Sequence, residues 1–354
     1  MKIGIHALKK VPVHYWIDIA LFIFILVFPL LGFKPFRVTY MNQFVAYLIF
    51  ALSLDLIWGY MGLMSLGHAV LFGMGGYAIG LCAQLQNGAP AFMTREGMNQ
   101  IPTLLFPMVN PIFATFAGLL LPTLFAFFLG KFLFKSKVSG VFFTIITLAL
   151  AQIIKDLVIN QQAFTNGFNG LQGVPRAFLG LGMDKTAYYY FVAGVLILVY
   201  VCCRWLTNSR LGKVAVSIRE NESRVSFLGY NPENFKILIF AISGFLAGLS
   251  GLLYAPAANS ITVEEISVAA STFVLIGLAV GGRGNLTGAL VGAMGLQWAK
   301  VLLSESTAAY WQLVLGAILL IIIFVMPNGL IGQLLHLVYS LKTRKHKELT
   351  GGGA

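Results

Sequence analysis

Ser65 and His68 stand three residues apart in the segment GYMGLMSLGHAVLFGMGGYAIG, residues 59–80. On one continuous helix that spacing places a hydroxyl and an imidazole on a shared face. There they would hydrogen-bond each other, a nearby carbonyl or a passing polar solute. Around them Ser65, Ala69 and Gly73 recur every four residues, as do Gly76 and Gly80. Such ridges lack bulk and let neighbouring backbones approach closely. A second segment, GLAVGGRGNLTGALVGAMG (277–295), repeats the theme. Its Gly281-Gly282 pair breaks a helix, each glycine costing about 1 kcal/mol relative to alanine. Gly284, Gly288 and Gly292 then form another four-residue packing ridge. Arg283 stands at the break, either as an interfacial anchor or as a group that positions the adjacent cytoplasmic loop. Ser65, His68, Gly73, Gly76, Gly281 and Gly282 are the candidate lining of a path for a small polar solute.

A third segment concentrates charge: SRLGKVAVSIRENESRVSFLGYNPENFK, residues 209–236. If residues 211–228 form one helix, Leu211, Val214, Ala215, Ile218, Val225 and Leu228 fall along one side. Arg219 with Glu222, and Glu220 with Arg224, are then three and four apart and can pair. Gly229 can end that helix in a left-handed conformation, and Asn231-Pro232 suits the cap and first turn of the next. A solvated basic loop explains the charge alone. The apolar stripe needs a surface to cover it, and a groove on a cytoplasmic partner is the simplest cover.

Catalytic and metal chemistry find little support. No H-E-x-x-H or G-x-S-x-G occurs, and Cys82, Cys202 and Cys203 make neither a C-x-x-C pair nor a zinc spacing. GLGMDKT (180–186) lacks the second glycine of a nucleotide-binding loop, so no ATP motor is expected in this chain. Asp55, Lys155, Asp156 and Lys300 fall near the ends of apolar runs, where snorkelling or pairing accommodates them. No carboxylate falls at an obvious mid-membrane position for a proton relay.

The elements that must position these groups are membrane helices. Of 354 residues, 58% are hydrophobic and only 10% charged, with a mean hydropathy of +0.85. The net charge of +12 sits in short clusters between apolar runs, which indicates membrane topology and not nucleic-acid binding. About ten runs approach the length needed to cross about 30 Å of hydrocarbon. They are 16–33, 41–58, 60–86, 110–134, 138–160, 187–206, 236–256, 270–282, 286–303 and 308–326. The first reads as a retained helix and not a signal peptide, for want of an A-x-A-like cleavage site. Basic clusters after the fourth, sixth and tenth runs put both termini in the cytoplasm. Runs 2–5 and 7–10 then form two sets of opposite direction, compatible with an inverted repeat, and each set has its irregular member second. The expected fold is all-α: a polytopic bundle over 1–335, with a cytoplasmic loop at about 207–235 and a basic cytoplasmic tail at 336–354.

GLMSLGHAVLFGMGGYA (62–78) resembles a signature stretch of permeases that import branched-chain amino acids and urea by ATP-driven transport. SIRENESRVSFLGYNPENFKILIFAISGFLAGLSGLLYAP (217–256) resembles their large cytoplasmic loop and following span. VGGRGNLTGALVGA (280–293) looks closest to the C-type permease subunit of urea transporters. The resemblance covers about residues 40–335. It implies a heteromeric importer of the bacterial inner membrane, with a second related permease, two ATP-binding subunits and an external solute-binding protein. ATP and magnesium would bind the ATP-binding subunits, with no cofactor in this chain. It also implies that Arg219, Glu220, Glu222, Arg224 and Gly229 belong to the loop that couples ATP hydrolysis to transport.

The leading expectation is therefore an importer subunit for urea or short amides, with branched-chain amino acids as the alternative. A passive urea channel would need no partner and no amphipathic cytoplasmic loop. An ion-coupled carrier lacks its mid-membrane carboxylates, and a membrane enzyme lacks a motif.

Overall fold

The computed structural model describes residues 13–31, 35–306, 316–317 and 329. In chain order its membrane helices are α1 (Val13–Val27), α2 (Pro35–Asp55, continued by a π-helical turn, Leu56–Tyr60) and α3 (His68–Leu85). A short helix α4 (Ala91–Arg95) precedes α5 (Pro111–Lys135) and α6 (Gly140–Asn160). After a small helix α7 (Gln162–Thr165) comes α8 (Lys185–Asn208). Two helices, α9 (Arg210–Glu220) and α10 (Glu222–Phe227), occupy the charged segment. The last described spans are α11 (Pro232–Ala258), α12 (Val268–Gly281) and α13 (Leu286–Ser306). Seven described helices are long and apolar enough to cross a membrane, and Ile17–Leu31 and Val268–Gly281 are shorter apolar helices. The all-α membrane bundle is thus observed. The expected tenth span (308–326) and the tail (336–354) lie outside the described residues.

Local chemistry sets several helix ends. Asn110 and Asn231 each precede a proline and cap the helix that follows. Asn110 Oδ1 accepts from Ile112 N at 2.9 Å, and Asn231 Oδ1 accepts from Glu233 N at 3.1 Å. Proline suits the first helical position because its missing N–H would have no intrahelical partner there. Gly229, at φ +85°, ends α10 in the left-handed region as expected.

α11 lies at the centre, packed on α2, α3 and α5. Its glycines allow the approach. A Cβ on Gly251 would stand 1.8 Å from the Phe72 carbonyl oxygen of α3, and one on Gly248 would stand 2.3 Å from Pro122 of α5. The outer surface is apolar too. Phe116, Phe128, Phe142 and Ile153 on α5 and α6 are exposed, as hydrocarbon or a neighbouring membrane subunit requires.

The polar segment TNGFNGLQGVP (165–175) contributes a short strand. Leu171 and Gln172 form β1, which pairs antiparallel with β4 (Ser260–Ile261). A second small pair joins β2 (Ala177–Phe178) to β3 (Leu181–Gly182).

Two expectations need correction. Residues 60–86 do not make one helix carrying Ser65 and His68 on a shared face. The chain turns at Gly62 (φ +78°) and runs without helical structure to Ser65, and α3 starts only at His68. Nor do residues 211–228 form one helix. Asn221 takes an extended conformation (φ −161°, ψ 97°) and caps α10, its Oδ1 accepting from Arg224 N at 2.9 Å.

Candidate functional site

One end of the bundle, the end that carries the charged segment, brings together residues from distant stretches of the chain. α9 packs on α8, α11 and the π-helical turn after α2. From α9 the Arg219 guanidinium donates through Nη1 to the Gly59 carbonyl in that turn. A single-turn π-helix leaves its carbonyls imperfectly paired and often marks a functional position. Asp55, fully buried at the end of α2, accepts from the backbone N of Gly284 at 2.8 Å. Gly284 (φ +74°) sits in the turn between α12 and α13, and a Cβ there would stand 3.1 Å from Arg219 Nη1. Gly59 itself has no room for a Cβ, which would lie 2.1 Å from Asp55 Oδ1 and 2.4 Å from Gly284 N. Arg283 holds its guanidinium 5.6 Å from the Trp58 ring of the same turn. The α9–α10 helix pair is therefore tied to the turn that follows α2 and abuts the break between α12 and α13.

The ion pairs differ from those expected along a helix surface. Arg219 pairs with its neighbour Glu220 at 2.7 Å. Glu222 pairs with Lys236 of α11 at 2.6 Å, and the nearly buried Lys236 ammonium also lies 5.8 Å from the Phe134 ring. The kink at Asn221 turns Glu222 towards α11 and leaves Arg224 outside any ion pair among the described residues. The apolar stripe is also covered differently. Ala215, Ile218 and Val225 are buried, and Leu211 and Val214 pack against the same core, so this chain and not a partner covers them. Leu228 stays exposed, beside Phe227 and Tyr230.

The glycine-interrupted span is a discontinuous one. Its non-helical stretch is held by hydroxyls, because backbone groups at membrane depth must be satisfied by protein. Thr144 Oγ1 donates to the Met64 carbonyl at 2.8 Å, and Thr147 Oγ1 accepts from Leu66 N at 3.3 Å. Ser271 Oγ, on α12, accepts from Ala69 N at 2.9 Å. The two irregular spans therefore touch directly.

Ser65 and His68 are both buried. His68 stacks on Phe50 (centroids 5.8 Å, interplanar angle 11°) and lies 6.3 Å from Phe240. Gly73 and Gly76 are close-contact positions against Ile266 and Ile261 respectively. Gly281, Gly288 and Gly292 interlock across the α12–α13 hairpin, a Cβ on Gly281 standing 1.9 Å from the Gly288 carbonyl oxygen. Gly282, at φ +109°, ends α12.

The geometry is that of an apolar bundle whose charged helix pair is tied to a discontinuous span, and comparison with known proteins gives the family. Residues 36–323 match the family described as branched-chain amino acid transport system / permease component, and the chain belongs to it. It is similar to the high-affinity branched-chain amino acid transport system permease protein LivM of Escherichia coli K12, 27% identical over 311 residues. That match covers 80% of this chain and 67% of the relative. A probable branched-chain amino acid transport permease protein LivM of Methanocaldococcus jannaschii is 24% identical, covering 82% of this chain and 91% of the relative. The ribose import permease protein RbsC of Haemophilus influenzae is 25% identical, covering 60% of this chain and 67% of the relative. No solved structure matches.

Proposed function

We propose that this chain is the membrane-spanning subunit of an ATP-driven importer of branched-chain amino acids. In this reading it sits in the bacterial cytoplasmic membrane with both termini inside. It works with a second related permease, two ATP-binding subunits that hold ATP and magnesium, and an external solute-binding protein. The names of its relatives favour amino acids over urea or short amides. The urea reading retains only the likeness of residues 280–293 to urea-type permeases.

The contact of Arg219 with the Gly59 carbonyl, next to the Asp55–Gly284 bond, carries the coupling part of the proposal. A push or pull on α9 and α10 from below would reach the end of α2 and the α12–α13 break through packed backbone. Such a shift is the kind that interfaces amplify as small rigid movements.

The test is uptake by the assembled complex in proteoliposomes with radiolabelled leucine, urea and ribose. ATP-dependent accumulation of leucine is the expected result. Accumulation of urea instead overturns the substrate, and equilibration without ATP overturns the transport class.

A further inference from the structure

α12 has 14 residues, which at 1.5 Å each span about 21 Å, against about 30 Å of hydrocarbon. With its C-terminal end at the cytoplasmic side, as in the proposed function, its N-terminal end falls short of the outer surface. A cavity of about 360 Å³ occupies the space there, bounded by α2, α11, α13 and the 263–267 segment. Small-molecule sites run from about 300 to 1,000 Å³, so the volume fits a small metabolite.

Its lining is mixed in a specific way. Gln297 is 7% exposed, lines the cavity, and makes no hydrogen bond to a described residue. Its amide is free to hydrogen-bond a polar group bound in the cavity. Lys300 contributes an ammonium 5.3 Å from the Phe273 ring and forms no ion pair with a described residue. Glu265 supplies the opposite charge. Its Oε2 accepts from Thr262 N at 3.0 Å and Thr262 Oγ1 at 2.5 Å, which holds the carboxylate in place. Glu264 is instead engaged with Lys155 at 3.8 Å. Tyr47 and Tyr254 complete the wall with aromatic surface, their ring centroids 6.1 Å apart.

From this lining we infer that the cavity is an outer binding site for an aliphatic α-amino acid zwitterion. The ligand's ammonium meets Glu265. Its carboxylate meets Lys300, the Gln297 amide and the N-terminal end of α12, whose dipole favours an anion. Its side chain lies on Tyr47, Tyr254 and Phe273. A neutral planar solute such as urea would leave both wall charges without a counter-ion. The inference rests on the amino-acid reading above and adds a site to it.

The test is saturation-transfer NMR of leucine, and of leucinamide, which lacks the carboxylate. It uses the assembled permease complex in nanodiscs without the solute-binding protein. Leucine should bind, Lys300→Gln should weaken it about tenfold, and Lys300→Arg should keep it. Leucinamide should bind weakly to wild type and be unaffected by Lys300→Gln. Gln297→Leu should also weaken leucine, with complex yield unchanged in every variant. Wild-type leucine binding by Lys300→Gln and Gln297→Leu overturns the site, even if ATP-driven leucine uptake holds. Lys300-dependent leucine binding without ATP-driven leucine uptake overturns the transport reading and leaves the site standing.

Discussion

Arg219 combines a place in the charged segment with a contact inside the bundle, and its planar fork makes the difference. One nitrogen reaches the Gly59 carbonyl while Nε and Nη2 hold Glu220 at 3.1 and 2.7 Å. Lysine is a single-point donor and cannot reproduce both contacts. Arg219→Lys and Arg219→Ala should therefore assemble normally and hydrolyse ATP, yet lower uptake per assembled complex by about tenfold, or about 1.4 kcal/mol. Uptake and ATP turnover measured on the same proteoliposomes check this, and an unchanged ratio removes Arg219 from the coupling route. The charge of Arg219 and its place in the loop are legible in the sequence. Its partner is not, because Gly59 lies 160 positions away and presents only a backbone oxygen.

At the scale of elements, the glycine ridges are the readable part. The four-residue spacing of Gly284, Gly288 and Gly292 leads to a packing face, and two of the three do pack across the α12–α13 hairpin. Gly284 is the exception, spent on the turn and the bond to Asp55. A Cβ on Gly288 would stand 2.6 Å from the Gly281 carbonyl oxygen and 2.8 Å from that of Gly282. Those atoms are backbone and cannot swing aside. Gly288→Leu should separate α12 from α13 and lower both complex yield and thermal midpoint, whereas Gly295→Ala, with nothing within 4 Å, should be silent. Thermal denaturation of the purified complexes distinguishes the two. The central glycines of α11, at 244, 248 and 251, carry no readable partner in the sequence, because α3 and α5 supply it only in the folded bundle.

For the whole molecule, the apolar stripe of α9 and α10 is turned inward, and what remains outward is small. Phe227 is 91% exposed and Leu228 72%, at the tip of the charged segment next to Gly229. Under the proposed function this tip is what the ATP-binding subunit touches. Phe227→Ser combined with Leu228→Ser should weaken co-purification of the ATP-binding subunits and leave the chain's own thermal midpoint unchanged, since neither side chain packs in the bundle. A lowered midpoint with intact docking would assign the pair to folding and not to docking.

The sequence by itself determined the solvent of this protein, the approximate described spans, the irregularity of runs 60–86 and 270–282, and the caps at Asn231-Pro232 and Gly229. These follow from apolar run length and from turn chemistry within a few residues. Tertiary structure alone decided which faces meet. In water, an amphipathic helix announces its buried side, but in hydrocarbon both sides are apolar and the pattern loses that information. α2 and α6 are both apolar enough to span, yet their most apolar windows are 89% and 17% buried. For the same reason Glu222 finds Lys236, Asp55 finds Gly284, and Gln297 and Lys300 come to share a cavity with Glu265. Each of those pairings depends on the rotation and depth of helices, which packing against neighbours sets.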